Sequence, residues 1–274
     1  MNRAKDIRLL LSDVDGTLVN QDKMLTPGAI AAAKALRDAG IGLAVTSSRP
    51  PFGMGMLVEP LGLKLPIAGC NGGVLVNPDL TVIETNLIDA AAARKVVDFL
   101  RQMKVDVWLY TETEWVVPDS KGAHVEREAW IVKTDPVVAS SFSAAQLAHA
   151  VKVVGVSQDF DRIAECETRA QALFGDTVSA TRSANYFLDV TNPKANKGGV
   201  VDTLARRLNI STDQIATIGD MPNDVLMFAR SGFSIAMGNA SDAVKAQAKA
   251  VTTSNQEDGW AHAVRTFILP AGAA

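Results

Sequence analysis

Two short acidic runs near opposite ends of the 274-residue chain carry its most suggestive chemistry: Ser12-Asp13-Val14-Asp15-Gly16-Thr17 and Gly219-Asp220-Met221-Pro222-Asn223-Asp224. If a fold brings Asp13, Asp15, Asp220 and Asp224 to one edge, each pair of carboxylates ~4 Å apart repels by about 4 kcal/mol at an effective dielectric near 20. Such a group calls for a cation. Oxygen donors with no His or Cys among them favour a hard ion, Mg2+ before the softer metals, and Mg2+ takes few protein carboxylates while keeping positions for water and phosphate. Thr46-Ser47-Ser48-Arg49 adds hydroxyls and Lys197 adds an amine. A metal, a spare carboxylate, a hydroxyl and a lysine together make a phosphoryl-transfer site.

Each piece has an ordinary reading when taken alone. Asp13 to Gly16 could open a calcium loop, but the EF-hand spacing needs glycine at its sixth position and glutamate at its twelfth, where Leu18 and Met24 stand. Asp-Gly is also a common turn. Ser47 and Ser48 could start a helix, Lys197 could be a solvated helix residue, and Asn223 or Asp224 could cap a helix. These readings leave unexplained why all four pieces fall at strand ends or helix starts of one sheet.

The elements that must position them can be read from periodicity. Ile7–Leu11 and Ile41–Val45 read as buried strands, joined by a helix that Thr26 caps, Pro27 opens and Gly40 closes. A Met-rich helix around Phe52–Glu59 precedes a strand at Ile67-Ala68. Alternation resumes with helix Lys197–Leu208, strand Ile215–Ile218, helix Asn223–Arg230, strand Phe233–Ala236, helix Asp242–Lys249, strand Val251-Thr252 and helix Trp260–Phe267. Continuous apolar strands separated by helices imply a parallel sheet covered on both faces, with ligands beyond its carboxyl edge. The middle differs: hairpins at Val74–Ile83 and Val107–Val117, helices Ala90–Met103 and Asp161–Phe174, and strands Val151–Val156, Val178–Thr181 and Tyr186–Asp189. The expected class is α/β: a Rossmann-like parallel sheet core from residues 1–84 and 190–274, with an α+β domain inserted at 85–189.

With these residues in place, the chain resembles the haloacid dehalogenase (HAD) superfamily, in its Cof-type phosphatase branch. Asp13-Val14-Asp15-Gly16-Thr17, Ser47, Lys197-Gly198 and Gly219 to Asp224 match the four motifs in order, and Asn71-Gly72-Gly73, Ala236 to Ala240 and Asn255 to Gly259 match secondary ones. The resemblance implies Asp13 as nucleophile through an aspartyl-phosphate and Asp15 as general acid, then base. It implies Ser47 as a hydrogen bond to the phosphoryl group and Lys197 as its neutralising cation. Mg2+ would be held by Asp13, the backbone carbonyl of Asp15, and Asp220, supported by Asn223 and Asp224. Ser48, Arg49, Asn71 and Gly72 are expected at the substrate. The branch usually carries Thr-Gly-Arg where this chain has Ser47-Ser48-Arg49, and Lys194 stands near enough to Lys197 to compete for its role. The insert would be the family's cap, with Lys121, His124 and Arg127 as candidate contacts. A phosphomutase would share every one of these residues; a non-catalytic phosphometabolite-binding regulator would have no need of Asp15.

Composition narrows the field. Lys and Arg total 27 against 30 Asp and Glu, a net charge of -3, and aromatics are only 5%, which argue against a nucleic-acid partner. No apolar stretch approaches the ~20 residues of a membrane span. The basic start, Met1 to Lys5, leads into an apolar run too short for a secretory leader. Cys70 and Cys166 read as buried free thiols, as in a reducing cytoplasm. His124, His149 and His262 read as surface histidines, Met54 and Met56 as filler. The expected partner is a small phosphorylated metabolite.

Overall fold

The computed structural model describes residues 6–270; the basic run Met1 to Lys5 lies outside them. Eight strands form one sheet: β1 (Leu9–Asp13), β2 (Gly42–Thr46), β3 (Ile67–Gly69), β4 (Val74–Val76), β5 (Val82–Thr85), and, from the far end of the chain, β12 (Ile215–Gly219), β13 (Phe233–Ala236) and β14 (Ala250–Val251). Their order is β14-β13-β12-β1-β2-β3-β4-β5. The first six are parallel, while β4 and β5 add an antiparallel edge. β1 is central because both its faces are covered. Leu10 packs with Val45 and Ile218 against the helix Pro27–Asp38 and Trp260. Leu9 and Leu11 pack with Val201, Leu204 and Met227 on the other side. That two-sided burial is what a continuous apolar strand requires.

The remaining strands, β6 (Asp106–Tyr110), β7 (Trp115–Val117), β8 (Val137–Val138), β9 (Lys152–Val156), β10 (Ser179–Ala184) and β11 (Phe187–Thr191), form a second sheet ordered β10-β11-β9-β6-β7-β8. Alternation along β6 sorts its faces. Val107 and Leu109 meet the helices Ala90–Gln102 and Phe160–Phe174. Trp108 and Tyr110 point the other way, toward Trp115, Val125 and Phe52. Phe52 belongs to the first layer, so this aromatic face is the one turned to the eight-stranded sheet.

Several elements differ from their sequence outline. β1 starts at Leu9 and runs on through Asp13, so the first acidic residue is part of the strand. The stretch after Pro50 forms a 3-10 helix, Pro51–Leu57, before one α turn at Val58–Leu61, since two prolines and two glycines disfavour a regular helix there. The helix expected from Asn223 begins as a 3-10 turn, Pro222–Asp224, and becomes α only at Val225–Phe228. The helix from Asp242 ends at Lys245, where the chain turns so that Lys249 N–H donates to Ser234. The last helix is α over Gly259–Ala263 and continues as a π turn, Val264–Ile268. The helix Val125–Val132 was not anticipated; at eight residues it leaves too short a periodic signal. Cys70 and Cys166 are buried free thiols, and burial pushes them up to about 12 and about 11.

Candidate active site

The carboxyl ends of three adjacent strands build the centre. β1 ends on Asp13, whose register partner is Thr46 at the end of β2. β12, the other neighbour of β1, ends at Gly219, one residue before Asp220. Lys197 opens the helix Lys197–Leu208, with the Asn196 side chain capping it through the Gly199 N–H. Far from being solvated, Lys197 is 2% exposed. Its Nζ donates to Asp13 Oδ1 at 2.5 Å and Asp224 Oδ1 at 2.6 Å. Burial alone would lower its pKa, but attraction to Asp13 and Asp224 outweighs this and raises it. Lys194, by contrast, is exposed.

Asp224 does more than cap. Its Oδ2 accepts the backbone N–H groups of Asp220 (2.9 Å) and Met221 (2.8 Å), folding the loop tightly beneath the site. Gly219 permits this: a Cβ there would lie 2.4 Å from the Asp224 carboxyl carbon. Gly16 does the same for Asp220. It sits at φ +78°, and its missing Cβ would fall 2.3 Å from an Asp220 oxygen. Asp220 then accepts Thr17 Oγ1–H at 2.8 Å and the Asn239 amide at 3.3 Å. Thr17 and Asn239 were not given roles from sequence; the strand-end position of Asn239, just past β13, was the available signal.

Asp13, Asp220 and Asp224 place carboxylate oxygens within 4.8 Å of one another, all buried. One lysine cannot balance three such groups. The Asp13 carboxyl is raised well above its ordinary pKa by burial and then by Asp224, with Lys197 only partly opposing. Asp220 is raised to about 6, again by burial first and Asp224 second. An all-oxygen set with excess negative charge fits a hard divalent cation.

Asp15 faces the other way. Its carboxylate is gripped by Arg49 through two bonds of 2.7 Å (Nε to Oδ2, Nη2 to Oδ1) and by Lys23 at 2.7 Å. Burial pushes this carboxyl up, but Arg49 and Lys23 together outweigh it and hold it at about 2. Arg49, expected at the substrate, spends its remaining donors on the carbonyls of Gly53 (3.2 Å) and Ile131 (3.0 Å). The second of these lies on the other layer, so Arg49 ties the two sheets together. As placed, Asp15 is an ionised carboxylate and not yet a proton donor.

A cavity of about 370 Å3 opens above Asp13 and Lys197, bordered by Asp15, Ser48, Asn71 and Asn223 and roofed by β10 and β11. Ser47 is buried one residue beyond Thr46, and its Oγ accepts the Arg49 N–H at 3.1 Å, leaving its own O–H to donate. Asn223 donates its amide N–H to Asn71 Oδ1 across the floor at 3.1 Å, and its own Oδ1 is buried without a partner. Gly72 and Arg49 do not border this cavity. Gly72, at φ +95°, lets the turn pass the helix residue Val200, and Arg49 borders an adjoining pocket. Lys121 and His124 lie on a separate surface hollow with Arg127, and only Arg127 also reaches the pocket that Arg49 borders. His124 is half-buried and stacks on Tyr186 at 4.0 Å; His149 and His262 are exposed. Met54 is core, and Met56 packs at its edge.

A doubly covered parallel sheet ending in an aspartate-lysine-aspartate bridge defines an α/β phosphoryl-transfer protein. The profile of the haloacid dehalogenase-like hydrolases matches residues 10–264, and the chain belongs to that family; it is an enzyme of the phosphatase kind. It is 27% identical to a 5-amino-6-(5-phospho-D-ribitylamino)uracil phosphatase of Bacillus subtilis, over 93% of this chain and 96% of that protein. It is 26% identical to a pyridoxal phosphate phosphatase of Escherichia coli, over 96% and 99% respectively. A crystal structure of a haloacid dehalogenase-like hydrolase from Bacteroides thetaiotaomicron superposes with a TM-score of 0.86 at 25% identity, covering 94% of this chain and 98% of that one. Among the described residues, no helix is long and apolar enough to cross a membrane.

Proposed function

We propose that the chain hydrolyses small phosphomonoesters, sugar phosphates or nucleotide-like cofactors, in two displacements at Asp13 with Mg2+ as cofactor. The observation that carries this is the buried Lys197 bridge between Asp13 and Asp224, beside an open cavity, with a second carboxylate two residues on. An Asp13 oxygen attacks phosphorus as the ester P–O bond breaks, and the leaving oxygen takes a proton from Asp15. Lys197 and the Ser47 hydroxyl hold phosphoryl oxygens. Water then attacks the aspartyl-phosphate, giving its proton to Asp15 and freeing inorganic phosphate and the Asp13 carboxylate. Asp15 is set for this second half as it stands. For the first half it must leave Arg49 and Lys23 and take up one proton from solvent before it meets the ester oxygen; water attack in the second half then returns that proton to it for the next turnover. Asp13, Asp220 and the Asp15 carbonyl would hold Mg2+, which when bound supplies positive charge against the phosphoryl oxygens.

Residues 85–189 act in this reading as a cap that excludes water. The relatives' substrates, a phosphorylated ribityl-uracil and pyridoxal phosphate, support a small phosphorylated metabolite as the ligand. Two buried thiols suit the reducing cytoplasm. The test is a phosphate-release screen over phosphorylated metabolites. Turnover should stop in EDTA and return with Mg2+, and undiminished turnover in excess EDTA would remove the metal assignment.

A further inference from the structure

The roof of the cavity is a built polar surface. Ser179 and Thr181 alternate onto one face of β10, Arg182 and Ser183 follow where the strand bulges, and Asp189 and Thr191 of β11 stand beside them. Thr181 is the register partner of Asp189, and Ser179 of Thr191. Four of these six are hydroxyls, which donate or accept as a ligand requires, and Arg182 gives its Nε–H to Glu167 at 2.8 Å. Asp189 differs: as a carboxylate it only accepts.

Asp189 is 3% exposed, yet neither carboxylate oxygen accepts a hydrogen bond within the protein. The nearest cation, Lys152 Nζ, is 3.5 Å away. Lys152 gives one of its three donors to the Ser48 carbonyl at 3.2 Å and rests over the Tyr110 ring at 4.6 Å. At the outer limit of a hydrogen bond it balances the charge of Asp189 and leaves Oδ1 and most of the carboxylate's lone pairs open. A buried acceptor left unfilled costs roughly 1–3 kcal/mol, so the arrangement is completed by a ligand that brings donors. Asp189 borders both the cavity above Asp13 and the adjoining pocket that Asp15 also borders. The organic half of an ester whose oxygen meets Asp15 passes this carboxylate.

We propose that Asp189 is the specificity-determining residue: it selects phosphomonoesters whose leaving group presents hydroxyl or amino donors, and it disfavours bare alkyl chains and carboxylates. This rests on the phosphatase reading above, since it places the leaving group in this cavity.

The test uses matched pairs of equal chain length, three to five carbons, each a polyol phosphate against the n-alkyl phosphate, with p-nitrophenyl phosphate as reference. In the wild type, kcat/KM for the best polyol should exceed its alkyl partner by at least about tenfold, because a site built to bond a donor is left unpaired by an analogue lacking it. Asp189→Asn should shrink that ratio severalfold and Asp189→Ala should bring it near one. Asp189→Glu, which keeps the acceptor, should retain part of the preference. If the wild type hydrolyses none of the esters, p-nitrophenyl phosphate included, the phosphatase reading falls and this proposal with it. If esters are hydrolysed but the wild-type ratio is already near one, or the Asp189 variants lose polyol and alkyl turnover in proportion, the role of Asp189 alone is overturned. Should a variant fail to fold, the wild-type ratio still decides.

Discussion

Asp13 and Asp15 are separated by one residue and stand in opposite fields. Around Asp13 the chain gathers Asp220 and Asp224 against one lysine, and the carboxyls of Asp13 and Asp220 rise. Around Asp15 it gathers Arg49 and Lys23 against one carboxylate, which falls to about 2. The surplus of negative charge on the first side asks for a cation. The surplus of positive charge on the second holds a base ionised. In the proposed mechanism, one strand end thus divides two carboxylates between two tasks by their neighbours alone.

The sharpest way to break the first side is Lys197→Met. It leaves Asp13 and Asp224 buried without their cation, and removing one partner of a buried pair costs about 3–5 kcal/mol. Thermal unfolding should show that loss, and phosphate release should disappear. An Asp15→Asn variant probes the second side. General acid help is worth about 10²- to 10⁴-fold, so alkyl phosphates should slow by that much while an activated aryl phosphate suffers less at the first step. Equal losses on both esters would deny Asp15 the acid role.

Arg49→Met sharpens the same contrast at smaller cost. With Arg49 gone, burial dominates and the Asp15 carboxyl rises. The alkaline limb of kcat/KM against pH, where a general acid loses its proton, should therefore move upward, and a limb that does not move would separate Asp15 from Arg49. The two sides should also differ in sign in the metal-free protein. The raised carboxyl of Asp220 contributes stability that is fully present below about 3.9 and is lost as pH rises through about 6. The lowered carboxyl of Asp15 contributes stability present above about 3.9 and lost as pH falls through about 2. For Asp15 this is at most about 2.6 kcal/mol, the upper limit for a carboxyl that falls from about 3.9 to about 2. Urea midpoints across pH 2–7 for Asp220→Asn and Asp15→Asn should diverge in those two windows; parallel curves would erase the distinction.

Much of this was legible in the residues. The strand-helix alternation around Leu9–Leu11 and Ile215–Ile218 marked a doubly covered sheet because only buried parallel strands are apolar on both faces. Asp13, Lys197 and Asp220 were legible because their types make sense together only at a strand edge. The grip of Arg49 on Asp15 was not, because a bidentate pair across 34 residues depends on rotamers and on a loop bent by Pro50 and Pro51. That Lys121 and His124 line a separate surface hollow was not legible either, because it depends on the loop before the helix Val125–Val132, where His124 sits at φ +64°. Asp189 was hidden by reading as one more polar residue in an alternating strand; its unfilled oxygens exist only in three dimensions.

The division of labour between Asp13 and Asp15 is tested most directly by trapping. Asp15→Asn, mixed with p-nitrophenyl phosphate and quenched, should carry one added phosphoryl group by mass spectrometry on the peptide containing Asp13, because the nucleophile survives while the base that activates water is gone. The double variant Asp13→Asn/Asp15→Asn should carry none. A label on a serine or histidine, or substantial turnover by Asp13→Asn alone, would contradict the assignment.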